Sequence, residues 1–439
     1  MTSTLLKLPQ LQTPTLRHLP NGLTIVAQQM PVEAVNLSLW LNVGSAVESD
    51  AINGMAHFLE HMVFKGSQRL SIGEFERQIE AQGAITNAAT SQDYTQYYIT
   101  TAPKDFSKLA PLQIDVVLNS LIPDNAFELE RLVVLEEIRR SDDNPRRRTF
   151  QRVIETAFER LPYRRPVLGT VEVISQLRAQ QMRDFHATWY QPQSTVAVAV
   201  GNLPEEELIE IVANGFTEAH QGSIKAGLAN TPLDKPTIEL SPQLSHAPES
   251  AFTQIVRREF VDESLQQARL VMVWRVPGLN QLSETYALDV LAAILSHGRT
   301  SRLVRDLREE QSLVDHISVS NMTQHLQGTF SVSAQLAVEN LEIVENAIAN
   351  HIHKLQNQPV GEAEIARIKT KVANQFIFST ETPSDRANLY GYYQSLLGNL
   401  EPALTYPAKI QALNTDDLLA SAQKYLSPTA YGIVAIKPN

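Results

Sequence analysis

The chain contains no cysteine. That excludes disulfides and thiolate metal sites, so only His, Asp and Glu remain as ligands for a transition metal. The same absence suits a reducing compartment. Also missing is any apolar run approaching the roughly 20 residues that cross a bilayer. Met1–Pro14 holds no continuous apolar stretch followed by a small-residue cleavage site. A soluble, cytoplasmic protein with no membrane partner is therefore expected. Positive charge is scarce as well, with 37 Lys and Arg against 48 Asp and Glu and a net charge of -11. Such a surface repels phosphate backbones, so nucleic acid is not an expected partner. The one dense basic run, Arg146-Arg147-Arg148 after Pro145, reads as a local solvated loop.

What is present is globular. The chain has 439 residues, 43% hydrophobic and 19% charged, a size and balance that suit two large domains. A faint internal repeat supports the number two. Leu177–Val200 reads as a helix, then Trp189-Tyr190-Gln191-Pro192, then the apolar run Val196–Val200. The same order returns as a helix from Leu413, then Tyr425-Leu426-Ser427-Pro428, then Gly432–Ile436. Leu177 and Leu413, Trp189 and Tyr425, and Pro192 and Pro428 share one offset of 236 residues (413 − 177, 425 − 189, 428 − 192).

Upstream, the strand Leu37–Leu41 precedes a helix around 52–65, as Leu270–Trp274 precedes one around 284–296. Between the copies, Gly222–Ser250 is rich in Pro, Ser, Ala and Thr and reads as a linker. The expected organisation is a domain over 12–222, a linker over 223–250 and a similar domain over 251–439. The strand 93–100, followed by a helix over 103–120, points to an α+β class: in each domain a mostly antiparallel sheet with helices on one face.

Chemistry concentrates in His57-Phe58-Leu59-Glu60-His61. Residues four apart on a helix share a face, so His57 and His61 can present two imidazoles to one ion with Glu60 beside them. This H-x-x-E-H order is the inverzincin signature. A catalytic zinc needs a third protein ligand and an open fourth position. Glu137, 76 residues beyond His61 (137 − 61), is the best candidate. Glu130 lies two helical turns before it on the same stripe and can orient a histidine, while Val133, Val134 and Ile138 can face the core. His351 and His353 fall on opposite sides of a helix and form no metal clip. The pentapeptide alone is a weak signal, because a chance match is common.

With its surroundings it resembles the pitrilysin and insulin-degrading enzyme superfamily, and within it the mitochondrial processing peptidase-like branch. The likeness rests on Asn21-Gly22-Leu23 opening the first strand, on Gly54 to Gly66 around the motif and on Asn87-Ala88-Ala89-Thr90. It extends through Glu130-Arg131 to Glu137-Ile138 and to Leu168-Gly169-Thr170. The resemblance implies one Zn2+ per chain, bound by His57, His61 and Glu137, with Glu60 as general base and Glu130 in support. It makes Asn87, Ala88, Ala89 and Thr90 part of an edge strand to which a peptide substrate adds. It also implies two similar domains with zinc only in the first. Aligning Gly66 with Gly298 sets Asp289, Ala292 and Ala293 opposite His57, Glu60 and His61.

One departure stands out. Active members carry in the second domain a substrate-gripping Arg and, seven residues later, a Tyr. Here Arg308 is present, but Asp315 holds the Tyr position. Two-subunit members draw that pair from a metal-free partner. The expectation is therefore the catalytic subunit of a heterodimer. A self-sufficient homodimer and a non-catalytic scaffold are the alternatives.

Overall fold

The computed structural model describes residues 11–225 and 246–439. Of the expected linker, 226–245 lies outside the described residues, while 223–225 complete a helix.

The first sheet contains β1 (Thr15–His18), β2 (Thr24–Gln29), β3 (Val35–Leu41), β4 (Ile85–Thr90), β5 (Thr95–Thr101) and β6 (Thr195–Gly201). Its order is β1-β2-β6-β3-β5-β4. The second holds β7 (Val256–Val261), β8 (Ala268–Pro277), β9 (His316–Met322), β10 (Gln327–Leu336) and β11 (Gly432–Lys437), in the order β7-β11-β8-β10-β9. Without β1 the two orders correspond strand for strand. Each sheet is antiparallel except for one parallel pair, β2 with β6 and β7 with β11. The register follows the repeat: Leu37 pairs with Ala199, and Leu270 with Ala435, 236 residues on (435 − 199). Asn21-Gly22-Leu23 does not open the first strand. It forms the turn of the β1–β2 hairpin and leads into β2.

The first half adds helices α1 (Met55–Val63), α2 (Glu74–Ala81), α3 (Pro103–Leu118), α4 (Asp124–Asp143), α5 (Pro145–Ala157), α6 (Val171–Gln176), α7 (Ala179–Trp189) and α8 (Glu205–Lys225). The second adds α9 (Tyr286–Ser296), α10 (Leu341–Asn357), α11 (Glu362–Phe378), α12 (Pro383–Leu397), α13 (Glu401–Ala412) and α14 (Thr415–Tyr425). Among the described residues no helix is long and apolar enough to cross a membrane.

Each half packs helices of its own on one sheet face and receives a helix from the other half on the opposite face. On β3 and β6, Leu37, Leu39, Ala197 and Ala199 enter the core of the first half. Their neighbours Trp40, Val196, Val198 and Val200 pack with Ala387 and Tyr390 of α12. The second sheet does the reverse. Leu270, Met272, Ile433 and Ala435 join its own core, while Val271, Val273, Val434 and Ile436 meet Val153, Ile154 and Ala157 of α5. Burial on both faces is why β6, β8 and β11 run almost continuously apolar instead of alternating, whereas β3 keeps the hydrogen-bonded Asn36 and Ser38 between its core leucines.

This exchange also relocates the basic run. Arg146–Arg148 lie in α5, not in a loop: Asn144 Oδ1 accepts from the backbone N–H of Arg146 at 2.9 Å, with Pro145 at the first helical turn. Arg148 Nε then donates to Asp262 Oδ2 at 2.9 Å, joining the halves. Just past the linker, the buried Glu249 carboxylate accepts N–H bonds from Glu159, Arg160 and Leu161 at 2.7–2.9 Å. It also faces Arg275 at 3.0 Å, so the chain re-enters the fold at a fixed point.

Candidate metal centre

Helix α1 begins on a glycine because no other residue fits there. Gly54 has φ +93°, and a Cβ on it would lie 2.6 Å from the Leu168 carbonyl oxygen and 2.8 Å from Gly169 Cα. Leu168-Gly169-Thr170 and the residues before His57, far apart in sequence, therefore meet at one backbone contact. The orphan N–H groups of the first turn go to a buried carboxylate. Glu48 accepts from Gly54 N at 2.8 Å, Ala56 N at 2.7 Å and Asn53 Nδ2 at 2.9 Å. Burial nevertheless pushes its pKa up to about 7 against those bonds. Sequence patterning carried no signal for Glu48, since a capping residue outside the S/T-x-x-E pattern is placed only by tertiary structure.

The apolar side of α1 docks on α4. Phe58 stacks on Phe127 with ring centroids 4.6 Å apart, and Leu59, Met62, Val134 and Ile138 fill the same core. Val133 does not join them. It is half exposed, because 100° per residue carries it past the edge of the stripe shared by Glu130, Val134 and Glu137. This docking aims the polar sides of the two helices at each other.

His57 Nε2 and His61 Nε2 each lie 3.4 Å from Glu137 Oε2, and the three ligand atoms fall within 4.8 Å of one another. A separation of 3.4 Å is long for a charge-assisted hydrogen bond. It matches the edge of a tetrahedron, about 3.4 Å, around an ion bound at roughly 2.0–2.1 Å. The donor set, two imidazoles and a carboxylate, suits zinc. Among the described residues it is the one such group of three.

Behind the ligands, His61 Nδ1 donates to Glu130 Oε1 at 3.0 Å, and Lys65 Nζ binds Glu130 Oε2 at 2.7 Å. This bond fixes the His61 tautomer and turns Nε2 toward the gap. Without a metal, burial opposes the charged imidazole, but Glu130 and Glu137 outweigh it and raise His61 to about 9. The two imidazoles beside it, His57 and His61, hold Glu137 well below the usual carboxylate range. Glu130 is also lowered: burial acts against the shift, and His61 and Lys65 overcome it. Two ionised carboxylates thus face one imidazole, an arrangement that favours a cation.

Asn87, Ala88, Ala89 and Thr90 lie on β4, which among the described residues pairs only with β5 and forms the edge of the sheet. Thr86, Ala88 and Thr90 point toward the helices, and Thr90 Oγ1 donates to Glu60 Oε2. Glu60 is thereby held on the same side as the histidines. Arg308 stands apart from this cluster. It lies in the helical segment Val304–Glu310, with Nε donating to Glu309 Oε1 at 2.9 Å, and Asp315 accepts from Gln267.

In the second half, Asp289 occupies the place of His57 on α9. It is partly buried, accepts from Asn321 Nδ2 at 2.8 Å and Tyr406 OH at 3.0 Å, and desolvation raises its pKa to about 6. Ala292 and Ala293 are buried in the core beside it. Hydrogen bonds here take the place a metal would hold. His351 and His353 do fall on opposite sides of α10, the first buried against Asp306 at 2.7 Å and the second exposed.

Residues 24–171 match the family described as Insulinase (Peptidase family M16), and residues 176–372 match the Peptidase M16 inactive domain. An uncharacterised zinc protease of Streptomyces coelicolor is 28% identical, covering 93% of this chain and 86% of its own. The zinc protease PqqE of Helicobacter pylori is 27% identical over 98% of this chain and 94% of its own. The crystal structure of a protease from Helicobacter pylori superposes with a TM-score of 0.86 at 25% identity, covering 97% of this chain and 99% of that one. A Pseudomonas fluorescens structure described as a peptidase M16 inactive domain shares the fold, with a TM-score of 0.81 at 18% identity over 98% and 99% of the two chains.

Proposed function

Because this chain belongs to peptidase family M16, we propose that it is a zinc metalloendopeptidase cutting unfolded or short peptides laid against β4 as an added strand. The observation that carries this reading is the convergence of His57 Nε2, His61 Nε2 and Glu137 Oε2 beside the tethered Glu60. Zinc bound there would make a water acidic near neutral pH and polarise the scissile carbonyl. Glu60 takes the proton of the attacking water on the oxygen that Thr90 leaves free, then returns it to the departing amine. Glu130 keeps His61 in the tautomer whose Nε2 faces the site. The outer edge of β4 offers backbone N–H and C=O groups to an extended peptide, so most side chains are accepted. The metal-binding domain runs to the end of α8 at Lys225, and 251–439 form its metal-free counterpart.

A homologous metal-free chain that supplies the Arg and Tyr completes the site, and the two subunits enclose the substrate. Asp315 favours this heterodimer over a homodimer, because a carboxylate accepts hydrogen bonds where a phenol would donate, and here it accepts from Gln267. The test uses the purified chain with zinc and an unstructured fluorogenic peptide, alone and with a homologous chain that lacks H-x-x-E-H and carries the Arg and Tyr. Glu60→Gln is expected to keep the wild-type zinc content and lose about 10²–10⁴-fold in rate. Undiminished cleavage by that variant would refute the mechanism. Full turnover by the chain alone would refute the heterodimer.

A further inference from the structure

We infer that Thr90 is a positioning residue for the general base, so that the strand receiving the peptide also sets the orientation of Glu60. The inference rests on the peptidase function proposed above. As part of an edge strand, Thr90 would be needed only for its backbone. Its side chain, however, is turned away from the exposed side of β4, and its hydroxyl donates to Glu60 Oε2.

The donor is held from both sides. Thr90 pairs with Thr95 across the turn, and Ser91 N donates to the Tyr94 carbonyl at 2.8 Å. The tip of that hairpin is fastened to the loop before α1, with Ser45 N on Ser91 O at 3.1 Å and Ala46 N on Gln92 O at 2.8 Å. Gly44 packs so closely that a Cβ there would lie 2.4 Å from the Ser91 carbonyl oxygen. Thr95 Oγ1 donates to Val43 O at 2.7 Å on the same loop.

The hydroxyl is therefore fixed relative to α1 at one end of β4, while the outer edge of the strand has no partner among the described residues and can take a peptide. Glu60 is only partly buried, and without this bond its carboxylate would turn about the last side-chain torsion. A base in several orientations spends less time aimed at the water. It binds substrate equally well.

The consequence is a split between kinetic constants. Thr90→Val keeps the shape of the side chain and removes the donor, whereas Thr90→Ser keeps the donor and removes the methyl. In the assembled, zinc-loaded enzyme, Thr90→Val should lower kcat about ten- to hundred-fold with KM and zinc content unchanged. Thr90→Ser should retain most of kcat. If the valine variant does not fold, Thr90→Ala takes its place in the same comparison. Wild-type kcat without the hydroxyl would overturn the inference. So would a raised KM at constant kcat, which would make Thr90 a substrate contact, or a serine variant as slow as the valine one. An active wild type beside an unaffected Thr90→Val removes this inference alone. A wild type with no zinc-dependent cleavage removes the underlying function as well.

Discussion

Replacing Glu130 by Gln probes the part of the site behind the ligands. Glu130 serves two donors through separate oxygens, His61 Nδ1 at 3.0 Å and Lys65 Nζ at 2.7 Å, and its side chain is only 12% exposed. Glutamine keeps the shape but has one acceptor oxygen, so its NH2 must face one of the two donors. If it faces His61, the ring loses its tether. If it faces Lys65, an ammonium is left unpaired behind His61.

Both outcomes have the same sign. Losing the carboxylate makes His61 less basic, and the stranded positive charge opposes a dication. A lost bond to a charged group is worth about 1.5–3 kcal/mol when little water screens it. Removing a carboxylate that orients a ligating histidine costs roughly 10- to 100-fold in metal affinity, about 1.4–2.7 kcal/mol. The two estimates agree, and the expected result is zinc bound ten- to hundred-fold more weakly. Competition with a chromophoric chelator at neutral pH measures it, with circular dichroism to confirm folding. Adding Lys65→Met to Glu130→Gln should recover part of the loss by removing the stranded charge. Wild-type zinc affinity in Glu130→Gln would refute the reasoning.

Two further outcomes follow from the same geometry. Gly54→Ala forces a Cβ to within 2.6 Å of a carbonyl oxygen at φ +93°. It should cost about 2–4 kcal/mol and shift α1 enough to weaken zinc binding, and thermal melts with and without zinc should show both losses. In metal-free protein, His61 lies at about 9 against its ordinary 6.5. A folded value raised in this way gives stability that is complete below pH 6.5 and lost as pH climbs through about 9. The melting temperature of chelator-treated wild type should fall over that range more steeply than that of Glu130→Gln, and equal slopes would show that the carboxylates do not hold the proton.

Much of the fold was legible because it depends on local pattern. The strand Leu37–Leu41, the helix of the metal motif and the repeat at an offset of 236 all appear in the sequence as apolar spacing, and the paired sheets reproduce them. Arg146–Arg148 are helical because the Asn144 side chain caps the helix and Pro145 opens it, which outweighs the clustered charge. Asn144-Pro145 is a helix start that sequence alone displays.

What the sequence determined by itself is the inventory of the site: two histidines and a glutamate one helical turn apart, a second helix with glutamates two turns apart, and a second half without ligands. Side-chain type and helical period suffice for that. Tertiary structure alone decided which distant residues meet. Glu48 capping α1, Gly54 against Gly169, Lys65 on Glu130, Thr90 on Glu60 and the exchange of α5 and α12 between halves depend on contacts between separate elements. No local period encodes such contacts, because they arise only when the apolar faces of those elements are buried together.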